Sequence, residues 1–178
     1  MAASLSPRQL AALAAVADRL ARGRVEWLVA GSAGRALLGY DVRPADLDLE
    51  VGPGGADAAA RLLGAPLVAA SGAGRSSRRG STRIAGVEVD LTCDLAVRGA
   101  AAALAPDFAL QRAWSHPVRV CGREVRAAPV EETIARALVL GDAARLRRVT
   151  GEAGAGAAPL RPAYLSLRLS AASSSAAV

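Results

Sequence analysis

The sequence predicts an α+β fold in which a mixed β-sheet is flanked by helices. In the first half of the chain, segments with helical spacing alternate with short apolar runs of strand length. In the second half, hairpin patterns centred on glycine replace this alternation, which disfavours a regular doubly wound sheet. Hydrophobic residues make up 52% of the 178 residues, enough for the core of one domain. Aromatic residues make up only 3%, so that core must consist mainly of Ala, Leu and Val.

The first half begins with a predicted helix from Pro7 to Arg22, with Ser6 as its cap and apolar residues at helical spacing. A strand is predicted from Val25 to Ala30, and the short helix after it ends before Gly39. The segment from Asp46 to Val51 alternates acidic and apolar residues, the pattern of a strand with one buried face. A further helix is predicted from Ala56 to Leu63, and a strand from Leu67 to Ala70.

The second half contains two predicted hairpins. The first joins Thr82–Ala85 to Val87–Leu95 around Gly86, and the second joins Val118–Cys121 to Glu124–Ala127. The segment from Ser71 to Ser81, rich in Gly, Ser and Arg, is predicted to be a loop.

Two helices complete the prediction, one from Phe108 to Trp114 and one long helix from Pro129 to Val149. From Thr150 onward the composition shifts to Gly, Ala, Ser and Pro. We therefore expect a domain over residues 1–149 and a low-complexity tail over residues 150–178 that is poorly ordered or loosely docked.

Composition excludes several classes of protein. No apolar run reaches the roughly 18 residues of a membrane span, and the start of the chain lacks the pattern of a secretory signal. Two cysteines, Cys93 and Cys121, cannot form a disulfide framework, and with a single His they all but exclude a structural zinc site. These features predict a cytoplasmic protein that does not act at a membrane.

The net charge of +6 comes with 22 basic residues that are all Arg, since the chain has no Lys. A chain without Lys or Asn indicates a GC-rich gene, so the basic excess by itself says little about partners. The densest run comprises Arg75, Arg78, Arg79 and Arg83. It is interpreted either as a solvated loop or as a contact for phosphate or RNA.

Three acids carry the chemistry. Asp46 and Asp48 are two residues apart on a predicted strand, so their side chains leave the same face. Asp90 lies in a later strand, and pairing of the two strands would bring the three carboxylates together. Glu50, further along the strand of Asp48, is interpreted as a solvated charge whose replacement would change little. Such a cluster is costly without a cation, and its hard oxygen ligands suit Mg²⁺ or Mn²⁺. Upstream, Gly31 and Ser32 lie between a strand and a helix, where backbone can approach a phosphate.

Taken together, the string VAGSAGRALLGYDVRPADLDLEV and the later Asp90 resemble the nucleotidyltransferase superfamily of DNA polymerase β type, in particular its small bacterial and archaeal members. The resemblance covers roughly Val25 to Val149. It implies the nucleotidyltransferase fold and the metal-dependent transfer of a nucleoside monophosphate from an NTP to a hydroxyl group. The acceptor is left open as a small molecule, an RNA end or a protein side chain, and the oligomeric state is not predicted.

The resemblance also implies roles for individual residues. Asp46, Asp48 and Asp90 would be the catalytic acids that hold Mg²⁺ or Mn²⁺, and Asp90 would help to deprotonate the acceptor. Gly31 and Ser32 would hold the triphosphate, with Arg43 as a further phosphate contact.

The late helix departs from the family pattern, because it has no Lys and carries Asp142 where relatives have Arg. Arg145 or Arg147 is the expected substitute. The side chain of Arg35 is also unusually long for a residue of the short helix after Gly31. These departures favour an alternative, an inactive relative that binds a nucleotide or a partner protein, for example in a toxin–antitoxin pair.

Overall fold

The structure, a computed structural model, describes residues 5–153 and 156–175. Its helices are α1 (Pro7–Arg22), α2 (Gly31–Leu37), α3 (Ala56–Leu63), α4 (Phe108–Trp114), α5 (Val130–Leu140), α6 (Ala143–Gly151) and α7 (Pro162–Ser175). Its strands are β1 (Trp27–Val29), β2 (Leu47–Val51), β3 (Val68–Gly72), β4 (Arg75–Ile84), β5 (Val87–Arg98), β6 (Ala103–Leu104), β7 (His116–Val120) and β8 (Arg123–Ala127).

Over the described residues the strands form one mixed sheet in the order β3-β4-β5-β2-β1-β8-β7, with β6 paired to β5. β2 runs parallel to β5 and β1 runs parallel to β8, while the other neighbours are antiparallel. Helices flank this sheet, which confirms the predicted α+β class. Both predicted hairpins are present, as β4–β5 and β7–β8.

The two faces of β2 show how the sheet positions the site. Leu47, Leu49 and Val51 are buried and pack in one core cluster with α1 and α3. The alternation of a strand sends Asp48 and Glu50 to the opposite face, toward α2 and α5. Burial of the apolar face therefore fixes which face carries the acids, because a shift of one residue would reverse both.

The first helix begins as the sequence predicts. The Ser6 hydroxyl accepts a hydrogen bond from the Gln9 amide at 3.3 Å, and the Gln9 side chain accepts one from the Ser6 amide at 2.8 Å. This capping box and Pro7 in the first turn satisfy donors that the start of a helix leaves unpaired.

The predicted loop from Ser71 to Ser81 is wrong, because most of it forms the strands β3 and β4. A turn at Ala73 and Gly74, both with positive φ, joins the two strands. The polar composition suits an edge hairpin that leaves much of its surface in water, so composition alone cannot distinguish it from a loop.

The long helix predicted from Pro129 to Val149 is two helices, α5 and α6. Gly141 adopts a left-handed conformation with φ of 67° and ends α5. Asp142 then caps α6 by accepting a hydrogen bond from the Arg145 amide at 3.0 Å.

The region expected to be a poorly ordered or loosely docked tail contains the helix α7, which packs against α5 and β6. Tyr164 and Arg168 of this helix are almost fully buried. The low-complexity composition therefore misled the prediction of disorder for the described part of this region. No helix within the described residues combines the length and the apolar character needed to cross a membrane.

Candidate active site

The parallel pairing of β2 with β5 brings the predicted acids together on one face of the sheet. Asp48 and Asp90 are direct register partners, so their side chains leave neighbouring strands on the same face. Asp46 comes one residue before β2 and two residues before Asp48, so it lies at the same end of β2 as Asp48. All three are half-buried. Asp90 thus lies on the face that the resemblance requires.

Arg35 is a cationic neighbour of these acids, but its charge lowers the pKa of Asp48 less than burial and the other acids raise it. Among the described residues, no ion pair and no side-chain hydrogen bond involves Asp46, Asp48 or Asp90. Burial, followed by the charges of Asp46, Asp90 and Glu50, raises the pKa of Asp48 from an ordinary value of 3.8 to about 6. Asp48 is therefore a carboxylate that the fold holds in an unfavourable environment.

The carboxylates fit a divalent cation by donor type and charge. They supply hard oxygen ligands, and a cation would relieve the repulsion that raises the pKa of Asp48. Across the part of the chain that the structure describes, no group of three or more His, Cys, Asp or Glu side chains is arranged to hold a metal ion. Joint binding of a metal by the three acids therefore stays a prediction.

Gly31 begins α2 directly beside Asp48. Its φ is +58°, and a Cβ atom there would lie 1.8 Å from Asp48 Oδ2. Only glycine allows both this conformation and this approach. The next residue, Ser32, is half-buried and lines the adjacent cleft instead of pointing into the core. The glycine and serine therefore lie where the sequence predicts, at the junction of β1 and α2, as the first two residues of the helix.

The cleft has a volume of about 650 Å³. It is bounded by α2, α5 and α6 and by the face of β2, β4 and β5 that carries Asp48 and Asp90, called the site face below. Asp48 forms part of its wall, whereas Asp46 and Asp90 lie outside it. Its basic lining residues are Arg35, Arg75, Arg79, Arg136, Arg145 and Arg148. An anionic ligand is the natural complement of such a surface.

Two of these arginines are held by buried acids. Arg35 Nε is 2.6 Å from Glu152 Oε2, and both side chains are about one-tenth exposed. Arg136 pairs with Glu50 and with Glu132. Arg35 therefore joins α2 to the end of α6, which explains its unusual length in the short helix.

Three other arginines are weakly paired. Arg75 and Arg145 share one acid, Asp142, at 3.8 and 3.7 Å, and no ion pair within the described residues involves Arg148. Burial and the neighbouring charge of Arg75 lower the pKa of Arg145 despite the presence of Asp142. The end of the cleft formed by β4 and α6 thus carries positive charge that the described part of the chain does not fully neutralise.

Other residues lie differently from expectation. Arg43 is exposed in the loop before β2 and does not line the cleft. Arg145 lines it, as the sequence suggests, whereas Arg147 does not. Glu50, interpreted from the sequence as a solvated charge, is instead 12% exposed and paired with Arg136.

Sequence reasoning missed Arg136 and Arg148 as cleft residues. For Arg148 a signal existed, because Arg145 and Arg148 are three residues apart and so share one face of α6. No local pattern marks Arg136, since its place in the cleft depends on how α5 packs across the sheet.

No family model and no curated protein matches the chain. Among solved structures, it is similar to a crystal structure of a Thermotoga maritima protein described as a candidate nucleotidyltransferase. The two share 25% sequence identity and a TM-score of 0.68 over 84% of this chain and 96% of that one.

Two structures of the poly(U) polymerase Cid1, one with the UTP analogue UMPNPP, match 51% of this chain and 32% of theirs. Their identities are 17% and 19%, and their TM-scores of 0.34 and 0.33 are too low to bear on fold or function. The Thermotoga structure, by contrast, spans nearly the whole of both chains. The chain described here is accordingly a small protein of the nucleotidyltransferase fold.

Proposed function

We propose that this protein transfers a nucleoside monophosphate from an NTP to a hydroxyl acceptor. The observation that carries the proposal is the position of Asp48. Its carboxylate has no ion-pair partner among the described residues, is in register with Asp90, and lines a cleft that contains six arginines. A fold that crowds carboxylates beside an arginine-rich cleft is suited to a ligand that brings cations and phosphates together.

The arginine-rich end of the cleft is the proposed site for the triphosphate. Arg75, Arg145 and Arg148 present planar guanidinium groups that suit phosphate oxygens and that lack a full partner in the protein. Ser32 lines the same cleft, and the missing Cβ of Gly31 lets the Asp48 carboxylate lie directly against the start of α2. These arginines take the place of the lysine that the late helix lacks. Arg43, which lies outside the cleft, is retained as a more distant phosphate contact.

The acids are proposed to act on the acceptor side. Asp46, Asp48 and Asp90 would hold Mg²⁺ or Mn²⁺, which when bound neutralises phosphate charge and makes a hydroxyl more acidic. Asp90 accepts the proton of the acceptor hydroxyl. The hydroxyl oxygen forms a bond to the α-phosphorus, and the bond from that phosphorus to the oxygen bridging to the β-phosphate breaks. Pyrophosphate leaves with the electron pair, and Arg145 and Arg148 stabilise its charge.

A second candidate, a relative that binds nucleotide without turnover, is favoured by a specific observation. Arg35 and Arg136 of the cleft are held in ion pairs, and within the described residues the acids do not form a ready metal site. Such a protein would bind an NTP and would transfer nothing.

The test is transfer of label. The protein is incubated with each NTP labelled on its α-phosphate, with Mg²⁺ or Mn²⁺ and a cell extract separated into RNA, protein and small molecules. We expect one fraction to gain label with wild type and none with Asp48→Asn. The matched control is Asp57→Asn, which makes the same change at an exposed residue of α3 on the other face of the sheet. Nucleotide binding without transfer in any fraction would support the second candidate instead.

A further inference from the structure

A second cavity, called the α4 cavity below, adjoins the cleft. It has a volume of about 1210 Å³ and lies between α4, the residues before β1 and the turn that follows β2. Asp48 and Ser32 line the cleft but not the α4 cavity. Four residues line both spaces, namely Glu50, Leu95, Gln111 and Arg136. The two spaces therefore share a wall, and the acids and the glycine–serine junction lie on the cleft side of it.

The wall of the α4 cavity is electrically balanced, unlike that of the cleft. Its described residues include four arginines and four acids, whereas six arginines and three acids line the cleft. Arg136 pairs with Glu50, and Asp94 pairs with Arg78 at 3.3 Å. A ligand of the α4 cavity therefore needs no net charge, while the cleft favours an anion.

The rest of this wall is apolar apart from Gln111. Its other described residues are glycines and the side chains of Val, Leu, Phe, Pro and Ala. Phe108 lies against Gly52 at the end of β2, where a Cβ atom would come within 3.0 Å of the ring. A mainly apolar wall with one or two placed polar groups is typical of a site for a small molecule, and the Phe108 ring offers a flat surface for packing.

Gln111 is a buried amide without a partner. It is 2% exposed, yet its Oε1 accepts no hydrogen bond from any described residue, and its Nε2 donates to none of them. Two further buried atoms in the described part of the chain, Arg112 Nε and Arg136 Nε, lack a hydrogen-bond partner of good geometry. All three residues line the α4 cavity. Because an unpaired buried polar group is costly, this concentration points to a ligand that supplies the missing partner.

Gln9, the other glutamine of the chain, provides the contrast. It is 7% exposed, so it is buried to a similar extent. Its Nε2 donates to the Pro44 carbonyl at 2.7 Å, and its Oε1 accepts from the Ser6 amide at 2.8 Å. The fold therefore pairs both ends of one buried glutamine amide and leaves the other, in the wall of the α4 cavity, unpaired.

We propose that the α4 cavity binds an uncharged small molecule with a flat ring and a cis-amide edge, the N–H beside the C=O of a lactam. The N–H donates to Gln111 Oε1, and the C=O accepts from Gln111 Nε2, which is the bidentate pairing that a glutamine amide offers. The ring packs against Phe108 and Leu95. This site is separate from the cleft, so it does not depend on the function proposed above.

The composition of the chain allows a direct test. Gln9 and Gln111 are its two glutamines and it has no asparagine, so NMR of the ¹⁵N-labelled protein shows two side-chain amide groups. The probe is 2-quinolone, an uncharged bicyclic lactam. We expect the amide signals of Gln111 to shift and saturate during the titration, and those of Gln9 to stay in place. The spectrum of Gln111→Met assigns the two groups, because it lacks the signals of Gln111.

Two related compounds test the chemistry of the ligand. N-methyl-2-quinolone keeps the rings and the carbonyl but lacks the N–H donor, so we expect it to bind roughly tenfold more weakly. Quinoline-2-carboxylate keeps the rings but carries a negative charge, and we expect it to leave the Gln111 signals unshifted. No shift of Gln111 with 2-quinolone, or equal affinities for 2-quinolone and its N-methyl derivative, would overturn the inference.

Variants separate a binding role of Gln111 from a structural one. Gln111→Met removes the unpaired amide at similar length, so we expect roughly tenfold weaker binding of 2-quinolone, read from backbone amides of α4, and a urea midpoint at or above that of wild type. Gln9→Met removes a paired amide and should lower the midpoint, with affinity within about twofold of wild type. Ala109→Trp narrows the cavity at an exposed wall residue and should also weaken binding. A lower midpoint with unchanged affinity in Gln111→Met, or unchanged affinity in Ala109→Trp, would overturn the inference.

Uracil carries the same edge as a lactam, so a last titration distinguishes an independent ligand from the base of a nucleotide in the cleft. The titration with 2-quinolone is repeated in the presence of UTP and Mg²⁺. We expect both ligands to bind at once, with the affinity for 2-quinolone within about twofold of its value without UTP. Displacement of 2-quinolone by UTP would overturn the separate site. Binding of 2-quinolone by a protein that binds no NTP would support this inference and count against the proposed function.

Discussion

Glu132 and Asp48 lie on the same side of the sheet, but the fold places them in opposite electrostatic environments. Glu132 of α5 is almost fully buried, and it accepts hydrogen bonds from Arg168 at 2.8 and 3.0 Å and from Tyr164 at 2.7 Å. Arg136 also pairs with it at 2.9 Å. Asp48, by contrast, is half-buried beside other acids and has no cationic partner within the described residues.

The difference appears in the direction of the pKa shifts. Burial would raise the pKa of Glu132, but the charges of Arg136 and Arg168 and the hydrogen bonds donated by Arg168 and Tyr164 hold it below its ordinary value. At Asp48, burial and neighbouring acids both raise the pKa, to about 6. The fold therefore supplies cationic partners for Glu132 and leaves Asp48 unpaired. This difference supports the proposal that a ligand brings positive charge to Asp48.

The largest expected loss of stability comes from replacing Glu132, the acid that has cationic partners. Glu132→Gln leaves Arg168 and Arg136 without their shared carboxylate, and we expect a loss of about 3–5 kcal/mol of stability. Since the folded pKa of Glu132 is lowered, the stability it provides is present above the ordinary value of 4.5 and is lost as pH falls through the folded pKa. Urea unfolding measures the loss, with Glu124→Gln as an exposed control. A loss no larger than that of the control would show that the network does not stabilise the fold.

A gain in stability is expected from replacing Asp48, the acid without an ion-pair partner. A raised pKa means that the folded protein binds a proton at Asp48 more tightly than the unfolded chain does. Stability therefore falls as pH rises from about 4 to about 6. Asp48→Asn removes this cost, so without metal it should stabilise the protein by about 2–3 kcal/mol at pH 8 and hardly at all at pH 4. Urea unfolding in the presence of a chelator tests this. Equal stability of the two proteins at both pH values would contradict the comparison.

A smaller loss of stability is expected from replacing Glu50. This residue lies on β2 two residues after Asp48 and pairs with Arg136, which also pairs with Glu132. Because Arg136 keeps Glu132 when Glu50 is removed, Glu50→Gln should cost about 1.5–3 kcal/mol. The sequence alone suggested that a change here would matter little. Urea unfolding at neutral pH decides between the two expectations, and a change within experimental error would favour the interpretation from sequence.

Local patterns were sufficient to predict much of the site. The alternation over Asp46 to Val51 fixed the face of the acids, and Gly31 and Ser32 were correctly predicted between a strand and a helix. Where pairing partners lie far apart in the chain, sequence patterns said less. The edge hairpin β3–β4 has the composition of a loop, and only its register with β5 makes it a strand.

The cleft was the least predictable part, because its wall joins residues from distant elements. Arg148 reaches the cleft through the break at Gly141, which separates α6 from α5, whereas Arg136 reaches it through the packing of α5 across the sheet. The buried helix α7 was missed for a similar reason. Its packing depends on Tyr164 and Arg168 meeting Glu132, a contact that its low-complexity composition does not indicate.

We propose that the unpaired acids bind a cation. The melting temperature with and without Mn²⁺ at pH 8 tests this most directly. An ion that binds only the folded state raises the melting temperature of wild type to an extent set by its affinity. We expect this rise for wild type and for Asp57→Asn, and no rise for Asp48→Asn. Identical responses to Mn²⁺ in wild type and Asp48→Asn would contradict it.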